Sequence, residues 1–430
     1  MKQLRAMTIL ICLLSTPHFA LGCYDPVLST NTSPQVLKGR YRAIRAASES
    51  KTIHKCRSAR ADSERGARAL FGSKEARFLY PNLFSQYQIP CLAPLMTNYD
   101  RLPKKKCLVT TVCHEKRLNV SVQILGRGTN NTVLVCIPGV MSDSTVFRFL
   151  VGALANDYEF WLIDPPGCGE SEAPSPKDLG PGGYSPAALA ERELQTIEAC
   201  TRDRPKDIRI LIVAHSLGGL VAVRAFGDPQ LRERYAHVLS RIEGLVLLAP
   251  ADVFMSQVSP ALVSRADLSG LTIRIGNGLG VVPEAVAEYL VGSFYASHCM
   301  PREEVDHAVA VLSNPGTRNA FQAMLHEALA FDRKTQRPNF LEMMAQEKWY
   351  RNIDLPCEII WGKCDQTVPV YVGYMLEHQL PNASLTVIPD CKHAPLLECP
   401  SECAQLIREA DVRIASKALA RERLTTARAD

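Results

Sequence analysis

Residues 208–219 have the sequence IRILIVAHSLGG, and residues 220–226 continue with LVAVRAF. The apolar run followed by small residues predicts a buried strand, a tight turn and a helix. A sharp turn of this kind pushes its central side chain, Ser216, outward in a strained conformation, and it requires small residues two positions away on each side. Ala214 and Gly218 meet that requirement. Ser216 would then lie at a helix amino terminus, where developing negative charge is favoured.

Strands and helices alternate on both sides of this turn. The apolar run 132–137 is typical of a buried strand in a parallel sheet, and a hairpin at 107–125 precedes it. Further strands are predicted at 159–163, 245–248, 357–361 and 384–388, and further helices at 185–200, 370–379 and 401–420. The sequence therefore predicts an α/β fold with a mostly parallel sheet and helices on both faces.

Residues 253–350 interrupt this alternation with helix-like stretches near 284–292, 302–313, 317–331 and 339–347. They predict a helical cap inserted after the sixth strand. Its apolar side chains are expected mainly to pack on the core, and some could line an acyl pocket. The predicted organisation is a signal peptide at 1–22, a basic N-terminal extension at 23–105, a core at 106–250 and 351–420, a cap at 251–350, and a flexible tail at 421–430.

The excess of positive over negative charge lies in the extension. The chain has 430 residues, is 47% hydrophobic and 22% charged, and has a net charge of only +5, which excludes wholesale disorder and does not indicate nucleic acid. Residues 38–77 contain twelve lysines and arginines against four acids, a local charge of +8. A helix is predicted near 36–48, and the proline-punctuated residues 81–105 predict loops that pack on the core. The basic segment is expected to be a solvated tether.

The first residues predict export. Lys2 and Arg5 precede a short apolar run at 7–14, and residues 20–22 (ALG) offer a cleavage site. The run is too short to span a bilayer. Cys23 follows directly, and residues 20–23 resemble a bacterial lipobox, although Ala20 and Leu21 depart from its usual pattern. Simple cleavage and lipidation of Cys23 both remain open, so the protein could be secreted, periplasmic or lipid-anchored. The basic 38–77 segment could add contact with anionic headgroups.

The fifteen cysteines do not have the spacing of a metal site, and no metal or cofactor is expected. Export would permit disulfides. Cys107 with Cys113, and Cys399 with Cys403, are possible local pairs, but the sequence does not determine the connectivity.

Four motifs together resemble the α/β-hydrolase family over roughly residues 105–420. The turn around Ser216 resembles the family's nucleophile elbow, with Ala214 in place of its first glycine. The other three are DPPGCGES at 164–171, similar to the loop after the family's fourth strand, WGKCD at 361–365 with Pro369, similar to its acid loop, and PDCKHAP at 389–395, similar to its histidine loop. The resemblance implies the α/β-hydrolase fold and a serine esterase or lipase.

The resemblance also implies catalytic roles. Ser216 would be the nucleophile, His393 the general base and later acid, and Asp365 the carboxylate that orients His393. The oxyanion hole would use the backbone N–H groups of Leu217 and Val140, with Pro138 in place of the histidine usual before Gly139. Asp252, which follows the sixth strand, is a less favoured candidate for the acid. His215 is expected to be a packing residue of the turn.

The expected reaction is hydrolysis of a small-molecule carboxylic ester through an acyl-enzyme. C–C bond hydrolysis, acyl transfer and amide hydrolysis use the same triad and are the alternatives. A catalytically inactive binding protein on this scaffold is less favoured, because the triad is intact. Fold and triad do not determine the substrate.

Overall fold

The computed structural model describes residues 92–205, 207–252, 273–274, 282, 286, 290, 302–328, 331–332, 337–338 and 348–426. Its strands are β1 (Lys104–Cys113), β2 (Lys116–Leu125), β3 (Thr132–Ile137), β4 (Glu159–Asp164), β5 (Arg209–His215), β6 (Ile242–Leu248), β7 (Phe331–Asp332), β8 (Arg337–Pro338), β9 (Cys357–Gly362) and β10 (Ala383–Ile388). Its helices are α1 (Ala93–Arg101), α2 (Arg148–Leu154), α3 (Pro176–Leu179), α4 (Pro186–Thr201), α5 (Leu217–Gly227), α6 (Pro229–Arg234), α7 (Ala236–Leu239), α8 (Arg302–Ser313), α9 (Pro315–Ala328), α10 (Tyr371–Gln379), α11 (Pro395–Glu398) and α12 (Pro400–Thr426).

Eight strands form one sheet in the order β1-β2-β4-β3-β5-β6-β9-β10. The β1–β2 and β2–β4 pairs are antiparallel, and all the later pairs are parallel. The carboxyl ends of the parallel strands therefore meet at one edge, where ligands bind in open α/β sheets. This arrangement confirms the predicted fold class.

The sheet separates two apolar clusters. Along β3, Val133, Val135 and Ile137 belong to one cluster, while Leu134 and Cys136 belong to the other. Because successive side chains of a strand point to opposite faces, a strand buried on both faces has no polar side. This explains why β3 is apolar throughout and why helices cover both faces.

The segment before β1 differs from the prediction. Residues 93–101 form helix α1 where the sequence predicted loops, because Pro94 lies in the first helical turn, where a missing N–H is tolerated. Leu92 and Tyr99 are buried against the core. A Cβ on Gly152 of α2 would lie 2.0 Å from Leu95 O, so the two helices are in backbone contact.

Helices α8 and α9 lie where cap helices were predicted, and Val305, Ala308 and Leu312 pack in a core cluster with α2 residues. The antiparallel pair β7–β8 was not predicted.

At the carboxyl end of the chain, α12 continues to Thr426, so residues 421–426, assigned to a flexible tail, are helical. The predicted helices at 339–347 and 36–48, the signal peptide, Cys23 and the basic 38–77 segment lie outside the described residues. The domain boundaries stay predictions.

The pairing of Cys107 with Cys113 is wrong. Both residues lie on β1, six positions apart, which is about 20 Å along an extended strand. A disulfide needs Cα atoms within about 7 Å.

Among the helices of the described residues, none is long and apolar enough to cross a membrane.

Candidate active site

Ser216 lies in a strained turn between β5 and α5. Its backbone has φ 51° and ψ −120°, a conformation that costs a side-chain-bearing residue free energy unless the surroundings hold it. Ser216 N donates to Leu248 O at 3.1 Å, and Ser216 O accepts from Gly219 N at 2.9 Å and from Ala251 N at 2.8 Å. The turn is therefore fixed by the adjacent strand end and by the first turn of α5.

Small residues flank Ser216 for a steric reason. Ala214 is completely buried. A Cβ on Gly218 would lie 2.5 Å from both Ile137 O and Pro138 O, so a larger residue would displace the loop after β3. The structure thus contains the turn that the sequence predicted around Ser216.

His393 connects Ser216 to Asp365. The imidazole is fully buried, with Nε2 at 3.0 Å from Ser216 Oγ and Nδ1 at 2.8 Å from Asp365 Oδ2. These three side chains come from the turns and loops after β5, β9 and β10. The structure brings together the three predicted residues, while their catalytic roles stay a prediction.

Four hydrogen bonds orient the Asp365 carboxylate. Oδ1 accepts from Thr367 N at 2.8 Å and Val368 N at 2.9 Å, and Oδ2 accepts from Trp361 Nε1 at 3.1 Å as well as from His393. A carboxylate held on both oxygens presents a fixed acceptor to the imidazole. The Nδ1–H tautomer of His393 is therefore favoured, and the unprotonated Nε2 faces Ser216 Oγ at 3.0 Å.

The alternative acid, Asp252, has a different partner. It is almost completely buried, and its carboxylate accepts a hydrogen bond from the hydroxyl of Tyr350. The carboxylate that contacts His393 Nδ1 is that of Asp365. The geometry favours Asp365 as the partner of the base.

The loop after β3 lies directly against Ser216. A Cβ on Gly139 would be 2.9 Å from Ser216 Cβ and 3.4 Å from its Oγ. Ser142 N closes the turn by donating to Gly139 O at 3.3 Å, and Met141 has a positive φ of 60°. Within the described ranges, neither Val140 N nor Leu217 N donates a hydrogen bond to another residue. The N–H groups of both predicted oxyanion donors, Leu217 next to Ser216 and Val140 next to Gly139, thus have no acceptor among the described residues.

His215 has a contact that the sequence did not indicate. Its Nε2 lies 2.9 Å from His393 O, and its Nδ1 is buried with no hydrogen-bond partner among the described residues. Burial, reinforced by the neighbouring His393, lowers the pKa of His215 to about 3. The ring is therefore neutral near pH 7, and Nε2–H donates to His393 O. His215 ties the turn that carries Ser216 to the loop that carries His393.

Helix α8 contacts the loop after β3 and the start of α2 through polar side chains, which the sequence did not indicate. His307 Nε2 donates to Met141 O at 3.2 Å, and its Nδ1 is 3.5 Å from Asp143 Oδ2. Arg148 Nη1 pairs with Glu304 Oε1 at 2.7 Å, with side chains only 10% and 12% exposed. No local sequence signal identifies such contacts, because their partners are more than 150 residues apart.

A small cavity lies behind the turn, lined by Gly139, Leu217, Met324 and Glu193 among others. Burial raises the pKa of Glu193 well above its ordinary value, and its Oε1 has no partner among the described residues. Burial therefore favours the protonated form of Glu193 beside this cavity. In the part of the chain that the structure describes, no group of three or more histidine, cysteine or acidic side chains could hold a metal ion.

The sequence is similar to those of several known proteins. The chain is 28% identical over 208 residues to a pimeloyl-[acyl-carrier protein] methyl ester esterase of Aromatoleum aromaticum, a match that covers 46% of this chain and 72% of the relative. It is 24% identical over 302 residues to the human monoacylglycerol lipase ABHD6, covering 68% of this chain and 79% of the relative.

Solved structures show the same fold. The crystal structure of a putative lipase, lip1, from Acinetobacter baumannii aligns with a TM-score of 0.54 at 20% identity, covering 79% of this chain and 97% of that one. A profile of the alpha/beta hydrolase family matches residues 134–406, which span β3 to α12 and include every residue of the site described above. The chain belongs to the alpha/beta hydrolase family and is a hydrolase of the esterase and lipase type.

Proposed function

We propose that this hydrolase cleaves carboxylic esters through a covalent acyl-enzyme on Ser216. One observation carries the proposal, the continuous chain of contacts from Ser216 Oγ through His393 to the Asp365 carboxylate. A serine hydroxyl is a weak nucleophile unless a base lies within hydrogen-bonding reach. His393 Nε2 at 3.0 Å is such a base.

The steps follow from the positions of these groups. Ser216 Oγ attacks the ester carbonyl carbon while His393 Nε2 takes the serine proton, and Asp365 stabilises the imidazolium. The carbonyl oxygen becomes an oxyanion, which the N–H groups of Val140 and Leu217 would hold. His393 then gives the proton to the departing alcohol. In the second half, His393 activates a water that releases the acid and restores Ser216.

Ester substrates are favoured by the relatives, which are named as a methyl ester esterase and a monoacylglycerol lipase. These relatives are less than 30% identical to this chain, so the proposal does not take the acyl group of the substrate from them. C–C bond hydrolysis, acyl transfer and amide hydrolysis use the same triad and are the alternatives.

A fluorophosphonate probe and a panel of p-nitrophenyl esters of increasing chain length test the proposal together. Wild type should be labelled on the peptide containing Ser216 and should release p-nitrophenol. Ser216→Ala should lose labelling and at least 10³-fold of the turnover, with an unchanged circular dichroism spectrum. Asn352→Ala, in the loop before β9, is a matched control. Turnover of Ser216→Ala within tenfold of wild type would remove Ser216 as the nucleophile.

We also propose that the chain is exported, on the grounds of its basic and apolar first residues and the small residues at 20–22. The intact mass of the protein from its own host distinguishes simple cleavage, lipidation of Cys23 and an uncleaved chain. Loss of residues 1–22 supports cleavage, and the same species with acyl groups and glycerol on Cys23 supports a lipid anchor. An uncleaved form that begins at Met1 would contradict export.

A further inference from the structure

Two thiols meet beside the loop that carries His393. Cys391 lies two residues before His393 and is completely buried, and the half-buried Cys399 follows α11. The two side chains are close enough to share a hydrogen bond, and both belong to the same apolar cluster. This contact, together with burial, raises the pKa of the Cys391 thiol well above its ordinary value.

The backbone between the two cysteines is already folded to bring them together. The Glu398 carboxylate accepts from Lys392 N at 3.0 Å and from Ala394 N at 3.2 Å, on the two sides of His393. Cys391 Sγ lies 3.7 Å from Glu398 Oε1, and Cys399 is the next residue. The approach of the two thiols is therefore set by several hydrogen bonds of the loop and not by a side-chain rotamer alone.

We propose that Cys391 and Cys399 form a disulfide bond that closes a ring of nine residues around His393. The two thiols lose two protons and two electrons, and a disulfide oxidant such as oxidised glutathione takes up both electrons and becomes two thiols. The more accessible Cys399 first forms the mixed disulfide. Cys391 sulfur then attacks Cys399 sulfur and releases the second small thiol.

The burial of Cys391 predicts when this bond forms. A buried thiol with a raised pKa holds little thiolate, and the thiolate is the reacting species. Exchange in the folded protein is therefore slow in both directions, and the bond forms during folding. Once formed, it should resist mild reductants until the chain unfolds.

Cys403 is the competing partner. It is completely buried on the first turn of α12, where Cys403 N donates to Cys399 O at 3.0 Å. Cys399 and Cys403 both raise the pKa of the Cys391 thiol, and the effect of Cys399 is the larger because its side chain is within hydrogen-bonding reach. The structure thus favours Cys399, and the experiment includes Cys403 as an outcome.

Trypsin provides a direct test because Lys392 lies inside the ring. The full chain is refolded with a mixture of oxidised and reduced glutathione, its free thiols are alkylated, and it is digested. Peptides 364–392 and 393–408 should stay joined until a reductant is added. Cys403→Ser and Cys364→Ser should keep the joined species, and Cys399→Ser should lose it. Quantitative alkylation of Cys391 in wild type, or a joined species that only Cys403→Ser abolishes, would overturn the proposal.

A second pair of thiols is carried by a different observation, the register of α4 on β1. Arg192 Nη1 donates to Thr111 Oγ1 at 2.9 Å. Cys200 lies eight residues after Arg192, about 12 Å along α4. Cys107 lies four residues before Thr111, about 13 Å along β1. The two cysteines are therefore at similar distances from the Arg192–Thr111 contact. Residues four apart share a face of a helix, and residues two apart share a face of a strand. Cys200 therefore lies on the same side of α4 as Arg192, and Cys107 lies on the same side of β1 as Thr111.

The side chains agree with this register. The Cys200 thiol is within hydrogen-bonding reach of Cys107, and its pKa is raised to about 12 by burial first and then by Cys107. Both residues are half-buried against the same cluster. We infer that Cys107 and Cys200 form a second disulfide, by the same two-electron exchange with a disulfide oxidant, which would tie the edge strand β1 to α4.

The same digest tests this pair. Peptides 107–116 and 193–202 should be joined in wild type and in Cys113→Ser, and separate in Cys200→Ser. Cys113 shares peptide 107–116, and its thiol contacts Glu191 Oε2 at 3.2 Å, which makes it the matched control. Loss of the joined species in Cys113→Ser, or two alkylated peptides in wild type, would contradict the second bond. Neither result depends on whether the proposed esterase reaction is correct.

Discussion

Asp365 and Asp252 follow the neighbouring strands β9 and β6, and both carboxyl groups are buried. Only the geometry separates them, because Asp365 contacts His393 Nδ1 and Asp252 accepts from the Tyr350 hydroxyl. Asp365→Asn should lower kcat by about 10³- to 10⁴-fold, because asparagine keeps the shape but favours the wrong imidazole tautomer.

Asp252→Asn is the matched control for that prediction. Its amide oxygen can still accept from Tyr350, so kcat should stay within about tenfold of wild type. Steady-state kinetics on one p-nitrophenyl ester compares the two variants. A larger loss of kcat in Asp252→Asn than in Asp365→Asn would show that Asp252, and not Asp365, is the catalytic acid.

The neutral state of His215 predicts a pH dependence of stability. Its folded pKa of about 3 lies below the ordinary value of 6.5, so the unfolded chain binds the extra proton first as the pH falls. The stability linked to His215 is fully present above pH 6.5 and is lost as the pH falls toward 3. The loss should approach about 1.4 kcal/mol per pH unit.

His215→Gln removes this titration while retaining an N–H that can donate to His393 O. Urea unfolding of both proteins between pH 7 and pH 4.5 should show a shallower decline in the free energy of unfolding for the variant. Parallel curves for wild type and His215→Gln would contradict a neutral, buried His215.

At the scale of elements, α8 is fixed to α2 by the Arg148–Glu304 pair. Removing one partner leaves a buried charge without compensation, which typically costs about 3–5 kcal/mol. Arg148 also donates to Thr145 O at 3.1 Å, which moderates the loss. Glu304→Ala should therefore lower the free energy of unfolding by about 2–4 kcal/mol.

Glu303→Ala is the control, since Glu303 is exposed on the same turn of α8 and its loss should cost less than about 0.5 kcal/mol. Chemical denaturation followed by tryptophan fluorescence measures both variants. Equal stability of Glu304→Ala and Glu303→Ala would show that the pair does not hold α8 in place.

The elements that could be predicted from sequence are those with a local signal. The apolar runs of β3, β5 and β9 identify buried strands, and the small residues around Ser216 identify the turn. Helix α1 was missed because its proline suggested a break, although proline is tolerated in a first turn. The contacts of His307, of His215 and between Cys107 and Cys200 depend on packing between distant segments, for which a single sequence carries no signal.

At the scale of the whole molecule, α1 belongs to the packing of the core. Leu92 and Tyr99 are buried, and α1 is in backbone contact with α2 at Gly152. A chain that begins at Pro81 keeps α1 and should retain ester hydrolysis within about threefold of full length. A chain that begins at Lys104 loses α1 and exposes that face, so it should be less stable by several kcal/mol.

Thermal unfolding and turnover of the two shortened chains provide the measurement. Equal melting temperatures for the two would show that α1 contributes nothing to the core. Loss of activity in the Pro81 chain would instead place part of the site in residues 1–80.

The order of the strands along the chain sets when the enzyme can become active during its own synthesis. Ser216 follows β5 in the middle of the sheet, and His393 is 177 residues later, after β10 at the sheet edge. At about 5–20 residues per second, the ribosome adds those residues in roughly 9–35 s. Under the proposed mechanism, the nascent chain would carry Ser216 without its base throughout that interval. We therefore expect ester hydrolysis to begin only after β10 has joined the sheet.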